Sequence, residues 1–131
     1  MEVVFFRLAE VTNDDRRVIT EHVFASACLG IRQIKFVLFK TGNQKPVGQH
    51  SHKVRKWRAS RKEIFVVIGK VLFGWRDESG AVQQKELNNG EGVVIPPGAS
   101  HSFLSLAEGS MLLGLSNLPY NSKDDVSDKL F

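Results

Sequence analysis

The run Gly90-Glu91-Gly92-Val93-Val94-Ile95-Pro96-Pro97-Gly98-Ala99-Ser100-His101 does most to limit what this chain can become. It reads as a buried strand from Gly92 to Ile95, a turn at Pro96-Pro97-Gly98, and, after two more residues, a histidine. Earlier in the chain stands His50-Ser51-His52. Residues i and i+2 of a strand share a face, so His50 and His52 point the same way while Ser51 points away. His101 is then placed to complete a wall of three imidazoles.

The rest of the chain repeats the theme of short strands and turns, with no internal repeat, linker or low-complexity stretch. Val3 to Leu8, Arg17 to Phe24 and Ile31 to Lys40 read as early strands, the last alternating through Ile34, Phe36 and Leu38. Thr41-Gly42-Asn43 is a turn signal, Val47 to Lys53 carries the histidine pair, and Glu63 to Arg76 is a strand pair or bent strand with Gly69 and Gly74 as bulge or bend positions. Asp77-Glu78-Ser79-Gly80 turns the chain into Ala81 to Leu87, and Ser102 to Leu106 pairs with Met111 to Ser116 around Glu108-Gly109. At the end, Asn121 or Ser122 caps a short helix through Ser127, with Asp124 and Asp125 in its first turn. The fold class expected is all-β, a jelly-roll barrel with a short C-terminal helix, in one domain over 1–131.

Composition narrows the function. The net charge of +4 is concentrated in Lys53 to Lys62, whose six basic residues, once set aside, leave 12 basic against 14 acidic. A positive rim beside a pocket attracts and orients a phosphorylated ligand. Trp57 among those cations is also compatible with RNA binding, but a chain that is not basic throughout makes nucleic acid the weaker expectation. No apolar run approaches the roughly 18–20 residues that span a bilayer. The first residues lack a basic segment and a cleavage site, so the cytoplasm is the expected location. Cys28 stands alone, excludes an internal disulfide, and reads as a small core residue.

On the two histidine motifs the chain resembles the cupin superfamily. Asn13-Asp14-Asp15-Arg16-Arg17, Ile31 to Phe36, Gly48-Gln49-His50-Ser51-His52-Lys53, Glu63 to Lys70, Ile95 to His101 and Asn117 to Asn121 together resemble the dTDP-sugar 3,5-epimerases and 3,4-ketoisomerases and related cupins of polysaccharide biosynthesis. The resemblance implies a jelly-roll that moves protons at carbons next to the ketone of a nucleotide-linked deoxysugar, without a cofactor, as a homodimer. It implies His50 and His52 as the proton-transfer residues, a role that suits an imidazole because its ordinary pKa lies near neutrality. Lys53, Arg55, Arg58 and His101 are the expected substrate contacts. The chain departs from the pattern at Val47, where the family carries an Arg, and at Phe36 and Lys40, which stand where polar partners are expected. Tyr120, its one tyrosine, lies in the tail.

Two other readings stay open. In the first, His50, His52 and His101 bind zinc, iron or manganese, with Glu63 a doubtful fourth ligand because it lies eleven positions past His52 instead of four or five. In the second, the chain is a non-catalytic module that binds a sugar or nucleotide. The apolar strand Val3-Val4-Phe5-Phe6 serves either its own core or the sheet of a partner copy.

Overall fold

A computed structural model describes residues 2–24, 30–40, 45–56 and 59–131. Its strands are β1 (Val4–Arg7), β2 (Ala9–Asn13), β3 (Val18–Glu21), β4 (Gln33–Leu38), β5 (Val47–His52), β6 (Glu63–Ile68), β7 (Lys70–Arg76), β8 (Val82–Asn88), β9 (Glu91–Ile95), β10 (His101–Ser105), β11 (Met111–Ser116) and β12 (Asp125–Ser127). One sheet has the order β1-β9-β6-β11-β4, a second β12-β5-β10-β7-β8, and β2-β3 stands as a separate two-stranded hairpin. All the paired strands run antiparallel.

The core forms where the two five-stranded sheets meet. Phe65 and Val67 of β6, Val93 and Ile95 of β9 and Leu112 of β11 pack with Val71 and Phe73 of β7, Leu87 of β8 and Phe103 of β10. Alternation sends every second residue inward, and burial of such side chains supplies about 1.5–3 kcal/mol each. Phe73 contacts the rings of Phe5, Trp75 and Phe103, which tie the two sheets together.

Most expected strands appear within a residue or two of their expected bounds, and four outcomes differ. The C-terminal helix is replaced by a single 3-10 turn, Ser122–Asp124, after which β12 pairs with β5. Asn121 does cap it, accepting from the Lys123 amide, but Asp125 is already extended and bonds into the sheet instead of continuing a helix. Gly74 forms no bulge: β7 keeps register with β8 and β10 through it, and the missing side chain makes room for the Phe131 ring. Residues 9–13 form β2, an element the sequence reading left out, folded against β3 around Asp14, whose carboxylate accepts from the Arg16 and Arg17 amides. Ser102 to Leu106 and Met111 to Ser116 do not pair as a hairpin: β10 lies between β5 and β7 in the second sheet, and β11 between β6 and β4 in the first. Of the two places expected for the N-terminal strand, it takes the one in its own sheet, beside β9. Thr41-Gly42-Asn43, Cys28, Trp57 and Arg58 lie outside the described residues.

Candidate active site

Two local devices aim the histidines. Pro96-Pro97-Gly98-Ala99 makes a turn in which the Ala99 amide donates to the Pro96 carbonyl and Gly98 takes φ +83°, the glycine position of a type II turn. The Gly98 amide donates to the His52 carbonyl, fixing this turn against β5. On β5 itself, His50 pairs with His101 but Gly48 pairs with Ser102, so Gln49 is an extra residue, a bulge beside the site. Gly48 has φ +87°, where a Cβ would lie 3.0 Å from the His101 carbonyl oxygen, and Gln49 has φ +57°, a strained value for a side-chain-bearing residue. The C-terminal tail holds that strain in place: Gln49 Oε1 accepts from the Leu130 and Phe131 amides at 2.7 and 3.2 Å.

The three rings converge. Ring centroids are 4.7 Å apart for His50 and His52, 4.9 Å for His50 and His101, and 5.4 Å for His52 and His101. His52 and His101 are buried, while the His50 side chain keeps 23% of its surface exposed. His101 Nδ1 donates to the Ala99 carbonyl at 2.9 Å, which leaves Nε2 facing inward.

Two carboxylates then define the site: Glu63, expected only as a doubtful ligand, and Asp125, expected in the first turn of a helix. Glu63 opens β6 with its side chain 2% exposed, and its Oε1 lies 2.7 Å from His52 Nε2 and 3.4 Å from His101 Nε2. Asp125 of β12 bonds His52 Nδ1 at 3.1 Å through Oδ1 and faces His50 Nδ1 at 3.7 Å through Oδ2. Both nitrogens of His52 thus face a carboxylate, and only the doubly protonated ring donates to both. Tyr120 from the tail donates its hydroxyl to Asp125 Oδ2 at 2.8 Å.

Beneath Glu63 lies a buried cation. Arg61, 3% exposed, donates to Glu63 Oε2 at 3.2 Å, to Gln33 Oε1 at 2.7 Å and to the Leu118 carbonyl. Lys35 Nζ sits 3.5 Å from Glu63 Oε2. Gln33 and Lys35 are the inward residues of β4, whereas Phe36 is 62% exposed on the outer face. The polar partners expected on this strand are therefore present one residue away from Phe36, and a reading by identity alone chose the wrong face.

Electrostatics separates the groups. Burial, reinforced by the neighbouring rings of His101 and His52, pushes His50 down to about 4, so it is a neutral base at physiological pH. Burial pushes Glu63 up, but hydrogen bonds from His101 and His52 and the charges of His101 and Lys35 outweigh it and hold the carboxyl well below the usual range. Of the expected rim residues, Lys53 is exposed, and Arg55 is tied to the Asp124 carboxylate.

Among the described residues, His50, His52 and His101 are also the group whose ligand atoms, all within 4.8 Å of one another, suit a metal. The donor set is that of an open three-histidine site, and the Ala99 bond already orients His101 as such sites require. The fit has a cost, because whichever nitrogen of His52 took the ion would give up its carboxylate, Asp125 at Nδ1 or Glu63 at Nε2.

No protein-family model and no curated protein matches the chain. Solved structures do match. A TDP-fucose 3,4-ketoisomerase from Campylobacter jejuni superposes with TM-score 0.75 at 19% identity, over 98% of this chain and 90% of its own. A 3,4-ketoisomerase from Thermoanaerobacterium thermosaccharolyticum in complex with TDP-4-keto-6-deoxyglucose gives 0.71 at 19%, over 95% and 86%. The chain has the fold of these enzymes. A dTDP-4-dehydrorhamnose 3,5-epimerase from Bacillus anthracis, with TDP and PPi bound, is similar too, at TM-score 0.76 and 14% identity over 96% and 78%. The all-β sheet fold expected from the two motifs is thus observed, without its C-terminal helix. No helix among the described residues is long and apolar enough to cross a membrane.

Proposed function

We propose that this chain is an isomerase or epimerase of a nucleotide-linked keto-deoxysugar that works by histidine-mediated proton transfer. The observation that carries the reading is a neutral, partly exposed His50 directly against a buried His52 braced by two carboxylates. Such an arrangement separates a base that faces the ligand from a ring that stores and passes protons. His50 takes the proton from the carbon beside the ketone, the electron pair moves onto the carbonyl oxygen to form an enediolate, and a proton returned to carbon completes the exchange. His52, 4% exposed, stands behind His50 as its relay and positioning partner, through Asp125. Lys53, Arg55 and Arg58, with His101 at the inner wall, are the proposed substrate contacts, the cations serving the diphosphate. The structures with TDP or a TDP-sugar bound support a nucleotide-sugar ligand for this fold.

The test is solvent deuterium exchange into TDP-4-keto-6-deoxyglucose followed by NMR. Label should enter next to the carbonyl with the wild-type protein and not with His50→Ala. Saturable binding without label in either protein would instead indicate a non-catalytic binding module.

The converging nitrogens favour one second reading, a divalent zinc, iron or manganese ion held by His50, His52 and His101 that supplies Lewis-acid chemistry. Metal analysis of protein purified without a histidine tag decides it: near-stoichiometric metal surviving dialysis supports the ion, and only traces argue against it.

A further inference from the structure

Strand β5 meets two demands of opposite parity. Val47 pairs with Phe103 and packs against the core, while His50 pairs with His101 at the site, so both face inward although they are three residues apart. Regular alternation puts only evenly spaced residues on one face. Gln49, the extra residue of the bulge, supplies the missing step. Were the bulge to slide past His50 while Val47 kept its place in the core, Gln49 would turn inward and His50 would face out. The site therefore depends on where this one bulge sits.

In the ladder with β10, Gln49 has no partner. The bonds that hold it run to the segment after β12: its carbonyl accepts from the Asp128 amide at 2.9 Å, and its Oε1 accepts from the Leu130 and Phe131 amides. That segment is anchored in turn. Leu130 is buried, both carboxylate oxygens of Asp128 bond Arg76 of β7, and the Phe131 ring fills the space that Gly74 of β7 leaves open. Gly74 pairs with Ser102 and Ser102 with Gly48, so the ring sits on a row of small residues that leads across three strands to the bulge. A backbone at φ +57° suits glycine or asparagine better than glutamine. What glutamine adds is the reach of its side-chain oxygen.

We propose that Gln49 is a positioning residue: its side-chain oxygen latches the bulge to residues 128–131, and this latch fixes the register that turns His50 into the site. The segment beyond β12 thus governs the imidazole from the opposite face of the sheet without touching the ligand. The direction His50 takes does not depend on the reaction; the effect on label exchange rests on the proton-transfer role proposed for that ring.

Substitutions at Gln49 separate the latch from the strain. Gln49→Met keeps the length and removes the acceptor, and label exchange into TDP-4-keto-6-deoxyglucose should fall about 10- to 100-fold, the scale of loss when a reacting group is misplaced by roughly 1 Å. Gln49→Glu keeps length and acceptor and should restore most of the rate. Gln49→Gly relieves the positive φ yet lacks the acceptor; it should be as slow as Gln49→Met even if it melts higher, whereas strain alone would leave it active. Gly74→Ala, whose Cβ would lie 2.8 Å from the Phe131 ring, should give a smaller loss through the tail. NMR on the wild type, which needs no variant to fold, should show contacts between the His50 and His101 rings together with slow exchange of the Leu130 and Phe131 amides. A folded Gln49→Met or Gln49→Gly that keeps the ring contacts and the wild-type rate overturns the latch. So do Leu130 and Phe131 amides that exchange as in an open chain while the two rings stay together. A wild type that takes up no label speaks against the reaction, and the ring contacts in Gln49→Met and Gln49→Glu then decide the latch by themselves.

Discussion

The two faces of the five-stranded sheet invert the usual rule at the end where β4, β11 and β6 meet. Inside lie Gln33, Lys35, Glu63 and Ser116; outside lie Ile34, Phe36 and Leu38. Buried charge is expensive unless every group is paired, and here Arg61, Lys35, His52 and His101 all surround one carboxylate. Exposed apolar rows are costly in the other direction, through solubility. An end of a sheet that is polar inside and apolar outside gives up stability on both faces, and the proposed site accounts for the inner one.

Several measurements bear on that contrast. The largest effect is expected on the inner side, where His50→Ala should reduce label exchange by roughly 10²- to 10⁴-fold with the circular dichroism spectrum unchanged. Glu63→Gln should destabilise the fold by about 3–5 kcal/mol in urea denaturation, because it strands Arg61 and Lys35 without their counter-charge. An outer Phe36→Ala that costs as much would break the contrast.

The pH dependence sharpens it. Since His50 is pushed down to about 4, exchange activity should stay level from neutrality and fall only as pH approaches 4. Stability has the same sign: the unfolded chain takes up this proton near pH 6.5 and the folded one near 4, so stability declines as pH drops between those values. A rate profile that breaks near 6.5 would remove His50 from the role of neutral base. Urea midpoints measured across the same range check the stability half.

Smaller effects test the supports. Gly48→Ala should cost about 1–3 kcal/mol and disturb activity beyond its effect on melting, because its Cβ would press on the His101 carbonyl at a positive φ. The smallest change is expected for Arg76→Ala. Its bidentate pair with Asp128, at 2.7 and 2.9 Å, is still reached by solvent and should leave the melting midpoint nearly unchanged.

The strands, the Pro96-Pro97-Gly98 turn and the shared direction of His50 and His52 were legible in the sequence, because each depends on neighbours a few residues apart. Local rules failed where a neighbour was distant. The acids Asp124 and Asp125 read as helix-capping charges until β12 was seen to pair with β5 and present Asp125 to His52, 73 residues away in the chain. Arg61 read as one more cation of a solvated loop, although Arg61 and Glu63 are two residues apart and share a face. Their parity could not be carried across the eleven residues from His52. Tyr120 read as tail, yet it closes on Asp125.

By itself, then, the sequence determined an all-β chain with two histidine-bearing strands, since side-chain alternation and turn chemistry act locally. Tertiary structure alone decided which carboxylates and cations meet those rings, that a bulge at Gln49 aims them, and that the apolar positions of β4 face outward. Each of these follows from strand pairing between distant segments, where a shift of one residue exchanges the two faces.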